Sequence, residues 1–377
     1  MKPIEEYRSL FPVCEKFTFL NNAAVSPLST QAALAVRTLL DELSCEGISR
    51  YPRWMKQIAE TRRLFAELVC ADPGEIAFVP NTSEGLSIVA NGLAWKSGDG
   101  VLVPLPDFPS NVYPWMNLGS LGVKVHFYRR REGRFTPEDI EKALSPGTRL
   151  LTVSSVDFLT GYYCDLEALG DLCRRKGILF CVDAIQSLGV IPMDVKKFGI
   201  HFLASGGHKW LLSTMGQGCL YVSKEANEAI RPTHVGWKSV VDEEDFYRIG
   251  LDLKQNALRF ESGTMNLPGI VALGAALKLI LEVGVERIRK RIFELNDLFY
   301  QGLEERSFKV ATSMAEAERS GILSFLPSSN PDLLNRFLAR KNVMVSLRGE
   351  SIRLSPHFYN STEDVEAFFE ALDACRE

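Results

Sequence analysis

A lysine in the middle of the sequence stands where its amine could act as a nucleophile. Lys209 belongs to the segment Ser205-Gly206-Gly207-His208-Lys209-Trp210, which follows the apolar run Phe202–Ala204. Lysine is costly to bury unless it is paired or chemically used, and a desolvated, less basic amine attacks carbonyl carbons. The segment therefore indicates carbonyl chemistry at Lys209. The alternative is a surface lysine on a loop.

A carboxylate and an amide follow another apolar run. Asp183 comes directly after Ile178–Val182, and Gln186 lies shortly beyond it. A carboxylate in this position can pair with a protonated pyridine nitrogen, which makes the ring a better electron sink. Gln186 could then reach a phenolic oxygen of the same ring. The alternative is that Asp183 only caps the next turn.

The segment Asn81-Thr82-Ser83-Glu84-Gly85 has the character of an anion site. It joins a predicted strand, Ile76–Val79, to a predicted helix over about 83–93. Free backbone N–H groups and the helix dipole favour an anion at such a junction, and Thr82 and Ser83 add hydroxyl donors for a phosphate. The first and fourth residues of the segment also have capping-box spacing, so an ordinary helix start is the alternative.

Two further side chains could hold a flat, charged ligand. Phe108 lies in a proline-rich loop after the predicted strand Val101–Val103, where its ring could stack on a heteroaromatic ring. Arg353 stands in the middle of a predicted strand between apolar neighbours, and its guanidinium fork favours a bidentate carboxylate. The alternatives are a core phenylalanine and a structural salt bridge.

Alternating strands and helices position these residues. Besides the runs named above, the sequence predicts strands at Leu150–Val153 and Cys219–Val222, and a helix that Asp165 caps and Gly177 ends. This alternation is typical of a largely parallel α/β sheet. In such a sheet, ligands collect beyond the carboxyl ends of the strands.

A change in residue composition after Glu282 predicts a second domain. Helices rich in Arg, Lys and Glu alternate there with short strands such as Gly321–Phe325 and Ser351–Leu354. A chain of 377 residues also exceeds the usual size of one compact core. We expect a large ligand-binding domain over residues 16–282. Residues 283–377 then form a smaller α+β domain, with which residues 1–15 pack.

The composition argues against several classes of function. A net charge of −4 offers no electrostatic basis for binding nucleic acid or an anionic membrane, and we interpret Arg129-Arg130-Arg131 as a solvated loop. We expect neither a membrane span nor a signal peptide. The eight cysteines are scattered singly without C-x-x-C spacing, so we predict no metal site and a cytoplasmic protein with reduced thiols. No G-x-G-x-x-G motif follows a predicted strand, which argues against a nicotinamide dehydrogenase.

With these segments in order, the chain resembles the class V aminotransferase family of fold-type I pyridoxal phosphate (PLP) enzymes. That family includes cysteine desulfurases, isopenicillin N epimerase and serine–glyoxylate aminotransferase. The resemblance runs from the segment Phe19–Ala24 to the segment Arg353–Asn360, nearly the whole chain. It implies pyridoxal 5′-phosphate as the cofactor. It also implies an α/β fold-type I transferase with a mostly parallel seven-stranded sheet in the large domain and a smaller C-terminal α+β domain.

The resemblance also implies roles for individual residues. Lys209 matches the Schiff-base lysine, and Asp183 matches the partner of the pyridine nitrogen. Arg353 matches the arginine that holds the substrate carboxylate, with Asn22 and Ala23 at the same substrate site. The remaining cofactor-binding positions contact the phosphate, the ring face or the phenolic oxygen, and they are Thr82, Ser83, Ser205, His208, Phe108 and Gln186. The phosphate contact of Ser205 stays open, because the family often places a serine one residue later, where this chain has Gly206.

One matching position implies a second subunit. Thr264, in Glu261-Ser262-Gly263-Thr264, matches a threonine that reaches the phosphate of the neighbouring subunit, which implies a homodimer. The implied substrate is an amino acid. The interpretation that we favour is an aminotransferase that acts through an external aldimine, with Lys209 transferring the Cα proton.

Other reaction types stay open at this point. A desulfurase-like lyase and an amino-acid epimerase would use the same residues, and a non-catalytic PLP-fold binding protein is a further alternative. Desulfurases carry a nucleophilic cysteine on a long loop ahead of the matching arginine. Here the segment Val345–Ser351 is short and contains no cysteine, and Cys375 lies beyond Arg353. We therefore expect no attack by a cysteine thiolate.

Overall fold

The computed structural model describes residues 2–375, so residues 1, 376 and 377 of the predicted domains lie outside the described part. In chain order its strands are β1 (Thr18–Phe19), β2 (Ile76–Val79), β3 (Gly100–Leu105), β4 (Lys124–Arg129), β5 (Thr148–Ser154), β6 (Leu179–Asp183), β7 (Phe202–Gly206), β8 (Gly218–Val222), β9 (Lys309–Val310), β10 (Leu323–Leu326), β11 (Val343–Met344), β12 (Ser346–Arg348) and β13 (Ser351–Leu354).

The α-helices separate these strands. They are α1 (Thr30–Glu46), α2 (Tyr51–Leu68), α3 (Thr82–Gly92), α4 (Tyr113–Met116), α5 (Pro137–Ala143), α6 (Leu166–Lys176), α7 (Lys224–Asn227), α8 (Leu267–Val283), α9 (Val285–Glu305), α10 (Pro331–Arg340) and α11 (Thr362–Asp373). The alternation predicted for the middle of the chain is therefore present.

A mostly parallel sheet forms the centre of the molecule. Within residues 2–375 it has seven strands in the order β2-β8-β7-β6-β5-β3-β4. Only β8 runs antiparallel to its two neighbours, β2 and β7. Because β2, β3, β5, β6 and β7 share one direction, their carboxyl ends meet at one edge of the sheet. The predicted fold class is confirmed.

Local sequence signals set the ends of the helices around the sheet. The side chain of Asp165 accepts a hydrogen bond from the backbone N–H of Ala168, and α6 ends at Gly177, which adopts a left-handed φ of 66°. Both boundaries agree with the predicted cap and stop. Helix α3 packs close to β7 because Gly85 has no side chain: a Cβ there would come within 2.8 Å of Ala204 Cβ.

A second, antiparallel sheet lies in the C-terminal part of the chain. Its strand order within the described residues is β12-β13-β10-β9. Strand β1, from the other end of the sequence, pairs in parallel with β11, and Arg8 forms a 2.7 Å ion pair with Asp364. N-terminal residues thus contact the C-terminal part, whereas the predicted domain boundaries stay a prediction.

Helix α8 is the most apolar of the long helices, and it is mostly buried. Among residues 2–375, no single helix combines the length and apolar character needed to cross a membrane. Helices α8 and α9 pass that test only as a pair, and the pair is bent by 78°.

Candidate active site

Lys209 and Asp183 line the same cavity at the carboxyl edge of the central sheet. Asp183 ends β6, and Lys209 follows β7. The remaining side chains around this cavity are Phe108, Ser154, Val156, Phe158, Ile185 and Gln186. Because these side chains line one cavity, the amine and the carboxylate face a shared gap. The parallel strands β3, β5, β6 and β7 bring these residues together from four separate parts of the sequence.

Asp183 is almost completely buried. Its Oδ1 accepts a hydrogen bond from the backbone N–H of Ile185 at 3.0 Å, so the carboxylate does cap the next turn. Burial raises the pKa of Asp183 to about 7, and the hydrogen bond from Ile185 opposes that rise. Asp107 raises the pKa further, and Lys209 lowers it. A cationic partner would stabilise the buried carboxylate in its charged form, so Asp183 is suited to pair with a positively charged group in the cavity.

Lys209 is largely withdrawn from solvent, so it is not the surface lysine of the alternative interpretation. Desolvation lowers the pKa of its amine to about 8, against the opposing effect of Asp183. The nearby guanidinium groups of Arg353 and Arg348 lower it further. An amine with this pKa is partly unprotonated near neutral pH, which is the state that attacks a carbonyl or accepts a proton.

Phe108 presents its ring to the cavity instead of packing in the core. The residue is 42% exposed, and its ring centroid lies 5.6 Å from Lys209 Nζ. Phe158 meets the ring edge-on, with 5.3 Å between the two centroids. One face of a planar ligand beside Lys209 could therefore stack on Phe108.

The predicted anion site lies where α3 begins, next to the end of β7. Asn81 caps the helix by accepting a hydrogen bond from Glu84 N–H, as in the ordinary-start alternative. Thr82 Oγ1 accepts a hydrogen bond from Gly206 N–H at 2.9 Å, which leaves the hydroxyl proton free to be donated elsewhere. Ser83 Oγ lies 2.7 Å from Ser110 Oγ. Capping and anion binding are compatible here, because the side chain of Asn81 accepts a hydrogen bond from only one of the backbone N–H groups at the helix start.

The two predicted residues before Lys209 differ in their surroundings. Ser205 is buried, and its hydroxyl donates to the carbonyl oxygen of Gly206 at 3.2 Å. His208 is half-buried, and burial together with the charge of Lys209 lowers its pKa. A neutral His208 can still donate one hydrogen bond to an anion.

The side-chain amides of Gln186 and Asn22 connect the cavity to the chain termini. Gln186 Nε2 donates to the carbonyl oxygen of Ala23 at 3.1 Å, and its Oε1 accepts from Trp210 Nε1 at 2.8 Å. Asn22 Nδ2 donates to the carbonyl oxygen of Ser355. Because Asn22 Oδ1 also accepts from Tyr359 and Ser26, this buried side chain supports the strand connection and positions Ala23.

Arg353 is a buried arginine with hydrogen-bond donors that are unpaired within the described residues. It is 1% exposed, and its Nη1 donates to the carbonyl oxygen of Phe158 at 2.7 Å. Its Nε and Nη2 are buried without a partner among residues 2–375, and none of the carboxylates there lies within 4.0 Å of it. Burial lowers its pKa to about 9, Arg348 lowers it further, and the more distant carboxylate of Asp157 opposes both effects. The structural salt bridge of the alternative interpretation is not formed, and the free fork suits a carboxylate ligand.

Arg130 contradicts the prediction that Arg129-Arg130-Arg131 is a solvated loop. Its side chain is 1% exposed, and Nη1 lies 2.7 Å from Asp157 Oδ2. Asp107 Oδ2 is 3.7 Å from Nη2 of the same guanidinium. Two carboxylates buried beyond the ends of β3 and β5 need a countercharge, which explains why Arg130 is buried. Sequence analysis missed this network, although Asp107 lies in the loop that follows a predicted strand.

Thr264 is not among the residues that line the Lys209 cavity. It is exposed, and it lines a separate cavity together with Pro80, Gly216 and His234. The other predicted cofactor contacts surround Lys209 or the start of α3.

Comparisons with known proteins give a matching family model and several similar sequences and structures. The model of the family described as Aminotransferase class-V matches residues 18–368. A probable cysteine desulfurase of Methanothermobacter thermautotrophicus is 29% identical, over 98% of this chain and 97% of that protein. An uncharacterised aminotransferase of Bacillus subtilis is 32% identical, over 96% of this chain and 95% of that protein. The apo structure of a cysteine desulfurase from Thermococcus onnurineus has a TM-score of 0.90 at 28% identity, covering 100% of this chain and 98% of that one.

Proposed function

Because the chain belongs to the class V aminotransferase family and is a pyridoxal phosphate-dependent enzyme, we propose that it is an aminotransferase acting on amino acids. The observation that carries the proposal is the shared cavity of Lys209 and Asp183. In this proposal Lys209 binds the cofactor covalently and then moves a proton at the substrate Cα. Asp183 holds the ring nitrogen, and Arg353 holds the substrate carboxylate.

The side chains around the cavity fit this cofactor. The buried carboxylate of Asp183 has one hydrogen bond from Ile185 and suits a protonated ring nitrogen. Thr82, Ser83 and His208 supply donors for a phosphate at the start of α3, where the helix dipole adds to the attraction. Phe108 supplies a ring face. When bound, the cofactor provides an electron sink that stabilises negative charge at the substrate Cα.

Proton transfer is the task of Lys209. Its amine, with a pKa of about 8, is suited to take a proton from Cα and to return it to a neighbouring carbon. Arg353 fixes the substrate carboxylate, and Phe158 in turn fixes Arg353 through its carbonyl oxygen. Asp183 is withdrawn from water, so its attraction for a protonated ring nitrogen is little screened.

Two observations favour transamination over desulfurase chemistry, even though several relatives are named probable cysteine desulfurases. Strands β12 and β13 pair up to Arg348 and Ser351, so only two residues connect them, and neither is a cysteine. Among the residues that line the Lys209 cavity, none is a cysteine. The nearby Cys164 is buried with its Sγ 3.7 Å from the carbonyl oxygen of Ser154. Burial raises the pKa of Cys164 to about 12, which suppresses the reactive thiolate.

We also propose that the enzyme is a homodimer in which Thr264 reaches the phosphate bound by the other subunit. Thr264 is exposed and lines a cavity that Lys209 does not line. Exposed apolar side chains lie earlier in the chain, ahead of the short helix Ala257–Phe260, with Phe246 67%, Tyr247 99% and Ile249 94% exposed. A partner subunit that covers this surface would remove the apolar side chains from water and bring Thr264 close to a second site.

Borohydride trapping tests the proposal. The purified protein with added PLP should be yellow, and reduction should leave the cofactor on the peptide that contains Lys209. Lys209→Ala should lose the trapped cofactor, whereas Lys142→Ala, a lysine on the short helix α5, should retain it. An amino-acid panel should then yield keto acids without release of sulfide. A protein that takes up no PLP contradicts the proposal, and persulfide on any cysteine during turnover of cysteine contradicts the transamination assignment.

A further inference from the structure

A single face of the C-terminal sheet gathers polar side chains that lack partners. Ser346 pairs with Arg353 across β12 and β13, and Arg348 pairs with Ser351. Side chains two residues apart on a strand point to the same side. Arg348 therefore lies on the face that carries Ser346 and Arg353, diagonally across the hairpin from Arg353.

The hydrogen-bond donors on this face suit an anionic ligand. Arg353 Nε and Nη2 and the Ser346 hydroxyl are buried without a hydrogen-bond partner among residues 2–375. Arg348 is half-buried, and its Nη1 donates to the carbonyl oxygen of its own neighbour, Leu347, at 2.9 Å. No carboxylate in the described part of the chain lies within 4.0 Å of Arg348. The face thus carries two guanidinium groups that lack acidic partners.

The two arginines are close to the reacting centre. Arg353 contacts Phe158, and Phe158 lines the cavity of Lys209. Arg348 is near enough to lower the pKa values of both Lys209 and Arg353 by like-charge repulsion. A single substrate carboxylate on Arg353 would leave the charge of Arg348 uncompensated beside it.

We propose that Arg348 binds a second acidic group, on the side chain of the substrate, and that the enzyme selects amino acids with a side-chain carboxylate. This inference rests on the proposed function, in which Arg353 binds the α-carboxylate. Arg348 acts through hydrogen bonds to the distal carboxylate, and the unpartnered hydroxyl of Ser346 is next to both arginine positions on the same face. The competing explanation is that Arg348 is an ordinary solvated arginine at the end of a strand.

Binding of glutarate and of its monoamide, glutaramate, separates these explanations without requiring turnover. The two probes have the same length and differ by one negative charge. Calorimetric titration of the wild-type holoenzyme should give a Kd for glutarate about tenfold or more below that for glutaramate, as expected for one charge-assisted hydrogen-bonded contact. Arg348→Gln should bring the two Kd values together, and Arg348→Lys should restore part of the difference.

Matched variants show whether the effect is local. Arg340→Gln removes an exposed arginine from the end of α10 and should leave the glutarate preference unchanged. Arg353→Gln should weaken the binding of both probes. Equal affinities for the two probes in the wild type, or a preference in Arg348→Gln equal to that of the wild type, would overturn the inference.

Failure of this inference is distinguishable from failure of the proposed function. If the protein traps PLP on Lys209 and converts neutral amino acids while Arg348→Gln changes nothing, only the role of Arg348 is wrong. If no cofactor is trapped on Lys209, the proposed function is wrong, and glutarate titration of the same protein still reports on the arginine pair. With an active enzyme, the KM for glutamate should rise in Arg348→Gln while the KM for glutamine stays the same.

Discussion

Arg130 Nη1 lies 2.7 Å from Asp157 Oδ2 in an ion pair that is almost completely buried. The other carboxylate oxygen of Asp157 accepts hydrogen bonds from the backbone of Leu159 and Thr160. The loop from Asp157 to Thr160 places the carbonyl oxygen of Phe158 at 2.7 Å from Arg353 Nη1, from which it accepts a hydrogen bond. The ion pair therefore positions the acceptor that orients Arg353, for which we propose substrate binding.

Arg130→Met should lower the free energy of unfolding by about 3–5 kcal/mol, because it leaves a buried carboxylate without its countercharge. Urea unfolding measures this loss, and Arg131→Met, at an exposed neighbour, is the matched control. In the fraction that folds, we expect KM to rise more than kcat falls, since Arg130 acts through the position of Arg353. Equal stability of the two variants would show that the pair does not matter.

Much of the fold follows from local signals. The residues that cap and end α6, Asp165 and Gly177, have the predicted roles, and the apolar runs before Asp183 and Lys209 form the predicted buried strands. These features depend on a few neighbouring residues, so a single sequence reveals them. The convergence of Asp183 and Lys209 follows from the parallel direction of β6 and β7.

The supporting contacts of the site could not be predicted in the same way. The burial of Arg130 depends on Asp107 and Asp157, which are far from it in sequence, and only the sheet brings the three together. The amide of Asn22 is held by Ser355 and Tyr359 from the opposite end of the chain. Such contacts arise from the tertiary structure, and the residue types alone do not specify them.

Asp183 should make the cofactor-free protein lose stability as the pH rises. Its pKa is raised to about 7 in the folded state by burial, so between pH ~4 and 7 the folded protein binds a proton that the unfolded chain has released. The free energy of unfolding then falls with pH at up to about 1.4 kcal/mol per unit from this group. Asp183→Asn should remove this decline, whereas Asp171→Asn, at an exposed position, should not. Parallel unfolding curves for all three proteins would contradict the assignment.

Trp210 should stabilise the site through its hydrogen bond to Gln186. Trp210→Phe leaves the buried Oε1 of Gln186 without a donor, which should cost about 1–3 kcal/mol of the free energy of unfolding. The smaller ring also leaves a space beside Gly321, where the indole packs. A double-mutant cycle with Gln186→Met separates the two effects, because the hydrogen-bond penalty disappears when both partners are replaced. Additive losses in urea unfolding would show that the hydrogen bond contributes nothing.

A mixed dimer tests whether Thr264 acts across a subunit interface. Two differently tagged chains, one carrying Lys209→Ala and the other carrying Thr264→Val, can be combined into a mixed dimer. If Thr264 reaches the neighbouring subunit, the site that keeps Lys209 receives the unaltered Thr264 of the other chain. Only the Thr264→Val chain retains the lysine, so borohydride-trapped cofactor reports on that site alone. We expect wild-type cofactor affinity in the mixed dimer. The Thr264→Val homodimer should bind PLP roughly five- to tenfold more weakly, which corresponds to one lost hydrogen bond.

The two arrangements of Thr264 give opposite results in this experiment. If Thr264 contacted the cofactor of its own subunit, the trapped site would lack the hydroxyl in the mixed dimer as well, and its affinity would remain that of the Thr264→Val homodimer. Thr233→Val is the control, because Thr233 lines the same cavity as Thr264 and is also exposed. It removes a hydroxyl of the same kind and should leave cofactor binding unchanged. A full recovery in the mixed dimer, together with an unaffected Thr233→Val protein, requires Thr264 to reach the site of the neighbouring subunit.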